Sequence, residues 1–266
     1  MSKQQLQEAF QKVLNQGDKA FVPYIMAGDG GLDRLEEQVQ FLQESGATVL
    51  EVGVPFSDPV ADGPTIQEAG IRALQEGVSL RAILHKLQQF KEKRNIPIVL
   101  MTYLNPIYAY GIEAFADACQ VAGVSGLIIP DMPLEEEHMV AVQLKEKDIA
   151  LIRLASLTSP PERLQEIAKR TEGFLYAVTV TGITGARTGF KADLQEHLAE
   201  LKAICDVPVL AGFGVSTPQQ VKELSSNCDG VVVGSRIVDA LHKNKRSDIQ
   251  AMIRAAKAGQ KASIDS

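Results

Sequence analysis

Eight short runs of apolar and β-branched residues, each followed by a longer stretch with helical periodicity, constrain the fold of this chain more than any single motif. The runs lie at residues 20–26, 48–52, 97–102, 126–129, 150–154, 174–178, 207–211 and 230–233. Between them, sets such as Leu35, Val39 and Leu42, or Leu164, Ile167 and Ala168, repeat with the 3.6-residue period of a face packed on a sheet. Most of the runs are apolar on both faces, as a parallel sheet covered by helices requires. Eight units in 266 residues is about 33 residues each, close to the ~250 typical of a (β/α)8 barrel. An extra helix precedes the first run, with Leu6, Phe10, Val13 and Leu14 at helical spacing. No Pro/Ser/Gly-rich linker interrupts the rhythm, so residues 1–266 read as one α/β domain, a (β/α)8 TIM barrel. A doubly wound open sheet would want a GxGxxG turn after the first strand, and Gly28-Asp29-Gly30-Gly31 does not supply one. Ser159-Pro160-Pro161-Glu162 has the form of a capping box with proline at the first helical position, and Ser216-Thr217-Pro218 opens a helix likewise.

Composition narrows the function classes. With 45% hydrophobic and 23% charged residues and a net charge of -6, the chain has a core to bury and lacks the clustered cations that nucleic acid or anionic lipid demands. The basic groups Lys91, Lys93, Arg94 and Lys243, Lys245, Arg246 fall at predicted helix ends, where they complement the macrodipole. Three cysteines without metal-ligand spacing read as packed thiols of a reducing, cytoplasmic compartment. No apolar run is long enough for a membrane span. The four histidines, His85, His138, His197 and His242, all fall in helical patterns of the outer layer, where a solvated role is expected. No lysine stands at a strand end for Schiff-base chemistry and no cluster has metal spacing.

In such a barrel the site is built from the loops after the strands. Glu51 interrupts an otherwise apolar second strand; if Leu50 and Val52 face the helices, alternation turns Glu51 toward the barrel axis, where a carboxylate is costly unless paired or used. Asp62 follows on the next loop. Glycine-bearing turns, Thr184-Gly185, Gly212-Phe213-Gly214 and Gly234-Ser235, close the last three strands. The last of these opens a helix, which points to phosphate held on backbone N–H groups. Acid–base chemistry by carboxylates on a phosphorylated substrate is what these residues leave.

The segment LEVGVPFSDPVADGPTIQ, residues 50–67, resembles the signature of the tryptophan synthase α chain family. The resemblance extends through Phe21-Val22-Pro23-Tyr24, Met101-Thr102-Tyr103 with Asn105-Pro106, Pro130-Asp131-Met132-Pro133, Tyr176, Thr181-Gly182-Ile183-Thr184-Gly185, Gly212-Phe213-Gly214 and Gly234-Ser235. It implies a (β/α)8 barrel that cleaves indole-3-glycerol phosphate to indole and glyceraldehyde 3-phosphate. Glu51 becomes the general acid/base between the glycerol hydroxyl and indole C3, and Asp62 the acceptor of the indole N1–H. Phe21, Tyr103, Tyr176, Thr184 and Phe213 line the substrate, and the N–H groups of Gly185, Gly214, Gly234 and Ser235 take the phosphate. In a mouth lined by Phe21, Tyr103 and Phe213, desolvation is expected to raise the Glu51 pKa toward neutrality while Asp62 stays ionised. The resemblance further implies a β-chain partner in an α2β2 assembly, with pyridoxal phosphate in that partner, no cofactor in this chain, and Pro55, Asp58, Asn105 and Asp131 on the loops facing it. Residues 180–191 are long and glycine-rich enough to close as a lid. After the fifth strand Leu154-Ala155-Ser156-Leu157-Thr158 departs from the family pattern, and Arg153, unusual in a strand, is expected to point outward or pair with a carboxylate. Three alternatives stay open on the sequence: another phosphosugar isomerase or epimerase, a stand-alone indole-releasing lyase, and a catalytically silent activator of the β chain.

Overall fold

The computed structural model describes residues 2–156, 158–178, 188–212 and 214–257, with the main chain alone for 188–193. Eight parallel strands, β1 (Ala20–Met26), β2 (Leu50–Gly53), β3 (Ile98–Met101), β4 (Val124–Ile128), β5 (Ala150–Ser156), β6 (Leu175–Val178), β7 (Val209–Gly212) and β8 (Gly230–Val233), close into a barrel in chain order. The first and last strands have the bounds expected from their apolar runs; β5 runs on to Ser156, two residues past the expected end. Helix α1 (Lys3–Asn15) precedes the barrel. The connections carry α2 (Leu35–Glu44), α3 (Pro64–Gln75), α4 (Leu80–Gln89), α5 (Leu104–Tyr110), α6 (Ile112–Ala122), α7 (His138–Glu146), α8 (Pro161–Arg170), α9 (Thr188–Ile204), α10 (Pro218–Ser225) and α11 (Ser235–His242). Helix α12 (Arg246–Ala255) packs beside α10 and α11.

Alternation along each strand separates two apolar sets. Val22, Val99, Ile128, Ile152, Leu210 and Val232 fill the barrel, while Ile25, Leu50, Val52 and Leu100 belong to the layer between strands and helices. The N-terminal end is plugged by α1, whose Leu6 and Phe10 are fully buried; Phe10 packs on Phe174 with ring centroids 5.5 Å apart. The plug covers the barrel end opposite the strand C-termini.

Four local expectations need correction. Helix α8 has no Ser159 cap: Pro160 is the N-cap, and Pro161 takes the first helical position, because a residue before proline is held extended. Helix α10 does carry its box, Thr217 with Gln220. Arg94 is more than a charge near a helix end: its buried guanidinium donates to the carbonyls of Leu87, Ala122 and Gly123, at the C-termini of α4 and α6. Arg246 opens α12 rather than ending a helix. His197 is half-buried, with its Nε2 out of contact with solvent and without a hydrogen-bond partner, and burial lowers its pKa.

Candidate active site

The mouth of the barrel is shaped by two tyrosines lying over two glycines. Tyr24 sits opposite Glu51 in the β1–β2 register, and Tyr176 is its counterpart on β6. A Cβ on Gly53 would overlap the Tyr24 ring, and one on Gly212 would overlap Tyr176. Only glycine at these strand ends lets each ring fold across the neighbouring strand. The rings roof a cavity of about 410 Å³ that also receives Glu51, Asp62, Met101, Ile128 and Leu154.

Glu51 projects from β2 into this cavity between the outward-facing Leu50 and Val52. It is 1% exposed, and its Oε2 has no hydrogen-bond partner. Burial first, and the charge of Asp62 second, push its pKa up to about 8. Asp62 reaches the same cavity from the turn before α3, where its N–H donates to the Pro59 carbonyl at 3.1 Å. Burial raises its pKa to about 6, against a hydrogen bond from Tyr103 that lowers it. The Tyr103 hydroxyl meanwhile accepts the Ala61 N–H at 3.0 Å, and its ring packs on Phe56 at 5.2 Å. At neutral pH the site therefore holds a protonated glutamic acid beside a largely ionised aspartate, two carboxyls set to different tasks by surroundings alone. Asp62 keeps its charge as expected, but at a pKa well above the ordinary aspartate value of 3.8.

Across the cavity lie Gly214, with φ +76°, and the Gly234-Ser235 turn that opens α11. First-turn N–H groups have no acceptor within their helix and carry the positive end of its dipole, which suits an anion. Among the described residues no group of three or more His, Cys, Asp or Glu could hold a metal ion. A second cavity of about 700 Å³ opens at the opposite end, beside α1, lined by Glu8, Lys12, Lys19, Lys91 and Arg94 among others. It is larger, but no pair of buried acids converges on it.

A family model described as tryptophan synthase alpha chain matches residues 10–264. A tryptophan synthase alpha chain of Oceanobacillus iheyensis is 53% identical over 254 residues, 96% of this chain and 97% of that protein. One from Bacillus cereus is 49% identical over 255 residues, 96% of this chain and 99% of that protein. The chain belongs to the tryptophan synthase alpha chain family. Among solved structures, a Mycobacterium tuberculosis tryptophan synthase chain superposes with a TM-score of 0.87 at 32% identity, covering 96% of this chain and 98% of that one. The alpha subunit from Legionella pneumophila superposes with the same score at 31% identity, covering 96% and 98%.

Within this alpha-chain barrel, Glu51, Asp62, Tyr176, Gly214, Gly234 and Ser235 come together around one cavity, and Tyr103 joins them through Asp62. Phe21 does not. It lies near the start of β1, 1% exposed, against the second cavity at the far end. Its position has the parity opposite to Tyr24, so only one of the two can face inward, and the register with Glu51 selects Tyr24. Tyr24, Met101 and Leu154, which stand in quoted segments without an assigned role, line the cavity together with Ile128 and Arg236; alternation from Glu51 across the β1–β2 register points to Tyr24. Thr184, Gly185 and Phe213 lie outside the described residues, as does residue 157 of the atypical loop. So does 180–187 of the expected lid, while helix α9 already begins at Thr188. Of the residues expected on loops facing a partner, Asp58 and Asp131 are exposed and Pro55 is buried, while Asn105 is exposed but stands in the first turn of α5 rather than on a loop. The Asp131 carboxylate accepts the Leu104 N–H at 2.9 Å, tying the loop after β4 to the start of α5. Arg153 turns outward and pairs with Glu137 at 2.6 Å, as its place in a strand predicts.

Proposed function

We propose that the cavity at the strand C-termini carries out the retro-aldol cleavage of indole-3-glycerol phosphate to indole and glyceraldehyde 3-phosphate. Family membership makes the chain a lyase of tryptophan biosynthesis. The observation that supports the site assignment is the pairing of a proton-holding Glu51 and a charged Asp62 in an apolar cavity that the N-terminus of α11 also lines.

The chemistry follows from those protonation states. Protonated Glu51 delivers its proton to indole C3, and the positive charge that forms on the ring spreads to N1. Asp62, held ionised with the help of the Tyr103 hydroxyl, accepts the N1–H and stabilises that charge. The Glu51 carboxylate then takes the proton of the side-chain hydroxyl as the C–C bond breaks. Its electron pair returns to the ring and the hydroxyl carbon becomes the aldehyde of glyceraldehyde 3-phosphate. Glu51 ends protonated as it began, so no proton is drawn from water. Tyr24 and Tyr176 supply the apolar walls for the ring and keep Glu51 dry; Gly214, Gly234 and Ser235 take the phosphate, with Gly185, Thr184 and Phe213 completing the site.

The product indole is passed to a tryptophan synthase β chain in an α2β2 assembly, in which pyridoxal phosphate belongs to the β chain and this chain needs no cofactor of its own. Solved relatives come from structures described as tryptophan synthase; Asp58 and Asp131 stand exposed on loops and Asn105 exposed in the first turn of α5. A reducing, cytoplasmic location accords with the three free thiols and with the finding that, among the described residues, no helix is long and apolar enough to cross a membrane. The test is release of indole from indole-3-glycerol phosphate by the wild type and by Glu51→Gln, with and without a β chain. A general acid–base group is worth ~100 to ~10,000-fold, so Glu51→Gln should lose that much turnover in both settings; near-full activity of the variant would remove Glu51 from the mechanism.

A further inference from the structure

A phosphate ester entering this cavity meets an unfavourable charge balance. The chain carries a net charge of -6, and the cavity wall includes the acids Glu51, Asp62 and Asp239. Among the described residues one cationic side chain lines it, Arg236. Arg236 is the second residue of α11, immediately after the Gly234-Ser235 turn. Its guanidinium is held by Asp248 on α12 at 2.7 Å and by Asp239, one turn along the same helix, at 3.6 Å. Its side chain is 31% exposed and those of its partners are 29% and 39% exposed. Ion pairs this open to water contribute little to stability, so a folding role does not account for the cation at this place.

We propose that Arg236 is a specificity-determining residue for the phosphate group: it supplies the side-chain cation that draws a phosphate monoester dianion onto the N-terminal amides of α11. The inference rests on the reading of the cavity as a site for a phosphorylated substrate. Backbone amides at a helix end offer directed donors and a partial charge but no full positive charge. Arg236, the residue after the Gly234-Ser235 turn and part of the same cavity wall, adds a side-chain positive charge, offset in part by Asp239 and Asp248, that raises the local concentration of an anion. Pairing with Asp239 and Asp248 limits the freedom of the guanidinium. Arginine adds a planar fork of donors that lysine lacks, so the two are unequal at such a site.

The test measures binding of inorganic phosphate to the full chain by calorimetry across a range of salt, together with kcat/KM for indole-3-glycerol phosphate. Arg236→Met should weaken phosphate binding by about three- to tenfold, lower kcat/KM by a similar factor and flatten the salt dependence. Arg236→Lys should recover part of the affinity and most of the salt slope. Asp248→Asn breaks the same ion pair but keeps the cation, and should leave phosphate affinity within about twofold or tighten it. An Arg236→Met variant that binds phosphate as the wild type does, with the same salt slope, overturns the proposal. So does an Asp248→Asn variant that loses as much as Arg236→Met, since the ion pair and not the charge would then matter. A wild type that neither binds phosphate nor cleaves the substrate would instead refute the phosphate-site reading on which the inference stands.

Discussion

Two buried glutamates in this barrel show how differently the same side chain can be housed. Glu51, inside the mouth, is 1% exposed, and Glu137, in the outer layer at the start of α7, is 9% exposed. Glu137 accepts from Arg153 at 2.6 Å and from Arg170 at 3.4 Å. Among the described residues no cation pairs with Glu51, one of its oxygens has no partner, and a second acid is its neighbour. A buried carboxylate between guanidinium groups has its oxygens engaged by their N–H donors and joins elements of the structure. One without a partner keeps its proton and remains able to give it away. Desolvation is common to both sites, and the partner decides which of them can do chemistry.

Exchanging each glutamate for glutamine should split the two roles most widely. Glu137→Gln leaves the Arg153 guanidinium, 11% exposed, without its carboxylate, so unfolding free energy should fall by ~2–3 kcal/mol, while kcat/KM of the folded enzyme stays within a few-fold. Glu51→Gln should do the reverse. The folded state holds the Glu51 proton up to about 8, against an ordinary value of 4.5, so wild-type stability falls as pH rises through that window. Removing the ionisable group should therefore stabilise the protein at pH 9 by on the order of a few kcal/mol, with the gain vanishing below pH 4.5. Denaturant unfolding at pH 4, 7 and 9 measures both. Equal destabilisation by the two substitutions at pH 9 would erase the distinction drawn between them.

The pH profile sharpens the same contrast within the mouth. The proposed cleavage needs Asp62 ionised and Glu51 protonated, so kcat/KM should rise through about 6 and fall through about 8. These limbs belong to the coupled pair rather than to either acid alone. Tyr103 stabilises the charged form of Asp62 through its hydroxyl. Tyr103→Phe should accordingly move the acid limb upward by roughly half a unit to one unit and leave the alkaline limb in place. A Tyr103→Phe profile that is lower throughout but unmoved would reduce Tyr103 to a wall residue.

The barrel was legible in the sequence because burial of every strand on both faces leaves a repeating signal. The eight apolar runs needed only small boundary changes, and alternation around Leu50 and Val52 was enough to aim Glu51 inward. The site was legible where a polar residue broke that pattern and illegible where an apolar one did the work. Tyr24 sits in a run in which all seven residues are buried, so nothing local marks it, and the family motif Phe21-Val22-Pro23-Tyr24 was assigned to the substrate by its first aromatic instead of its second. Arg236 looks like any solvated arginine of an amphipathic helix until the fold lays the first turn of α11 along the cavity. The ordering of the two carboxyl pKa values depends on burial and on Tyr103, about forty residues downstream of Asp62 in the chain, contacts that only the closed barrel creates.

The smallest predicted effect tests that misassignment. Phe21 and Tyr24 lie on one strand, three residues apart, and face opposite sides of it. Phe21→Leu should cost ~1–2 kcal/mol of stability, as a volume loss in a packed layer does, and change kcat/KM by less than about twofold. Tyr24→Leu uncovers the wall beside Glu51 and should lower kcat/KM by ~10-fold, because water entering there brings the Glu51 pKa back toward its ordinary range. The ratio of the two activities is a direct report on strand register. A slip of one residue in β1 would turn Phe21 inward and Tyr24 outward, exchanging the two outcomes, and would at the same time part Tyr24 from Gly53, whose missing side chain makes room for the ring. Comparing the two variants thus reads out which face of β1 the barrel encloses, even where both proteins fold and both retain some turnover.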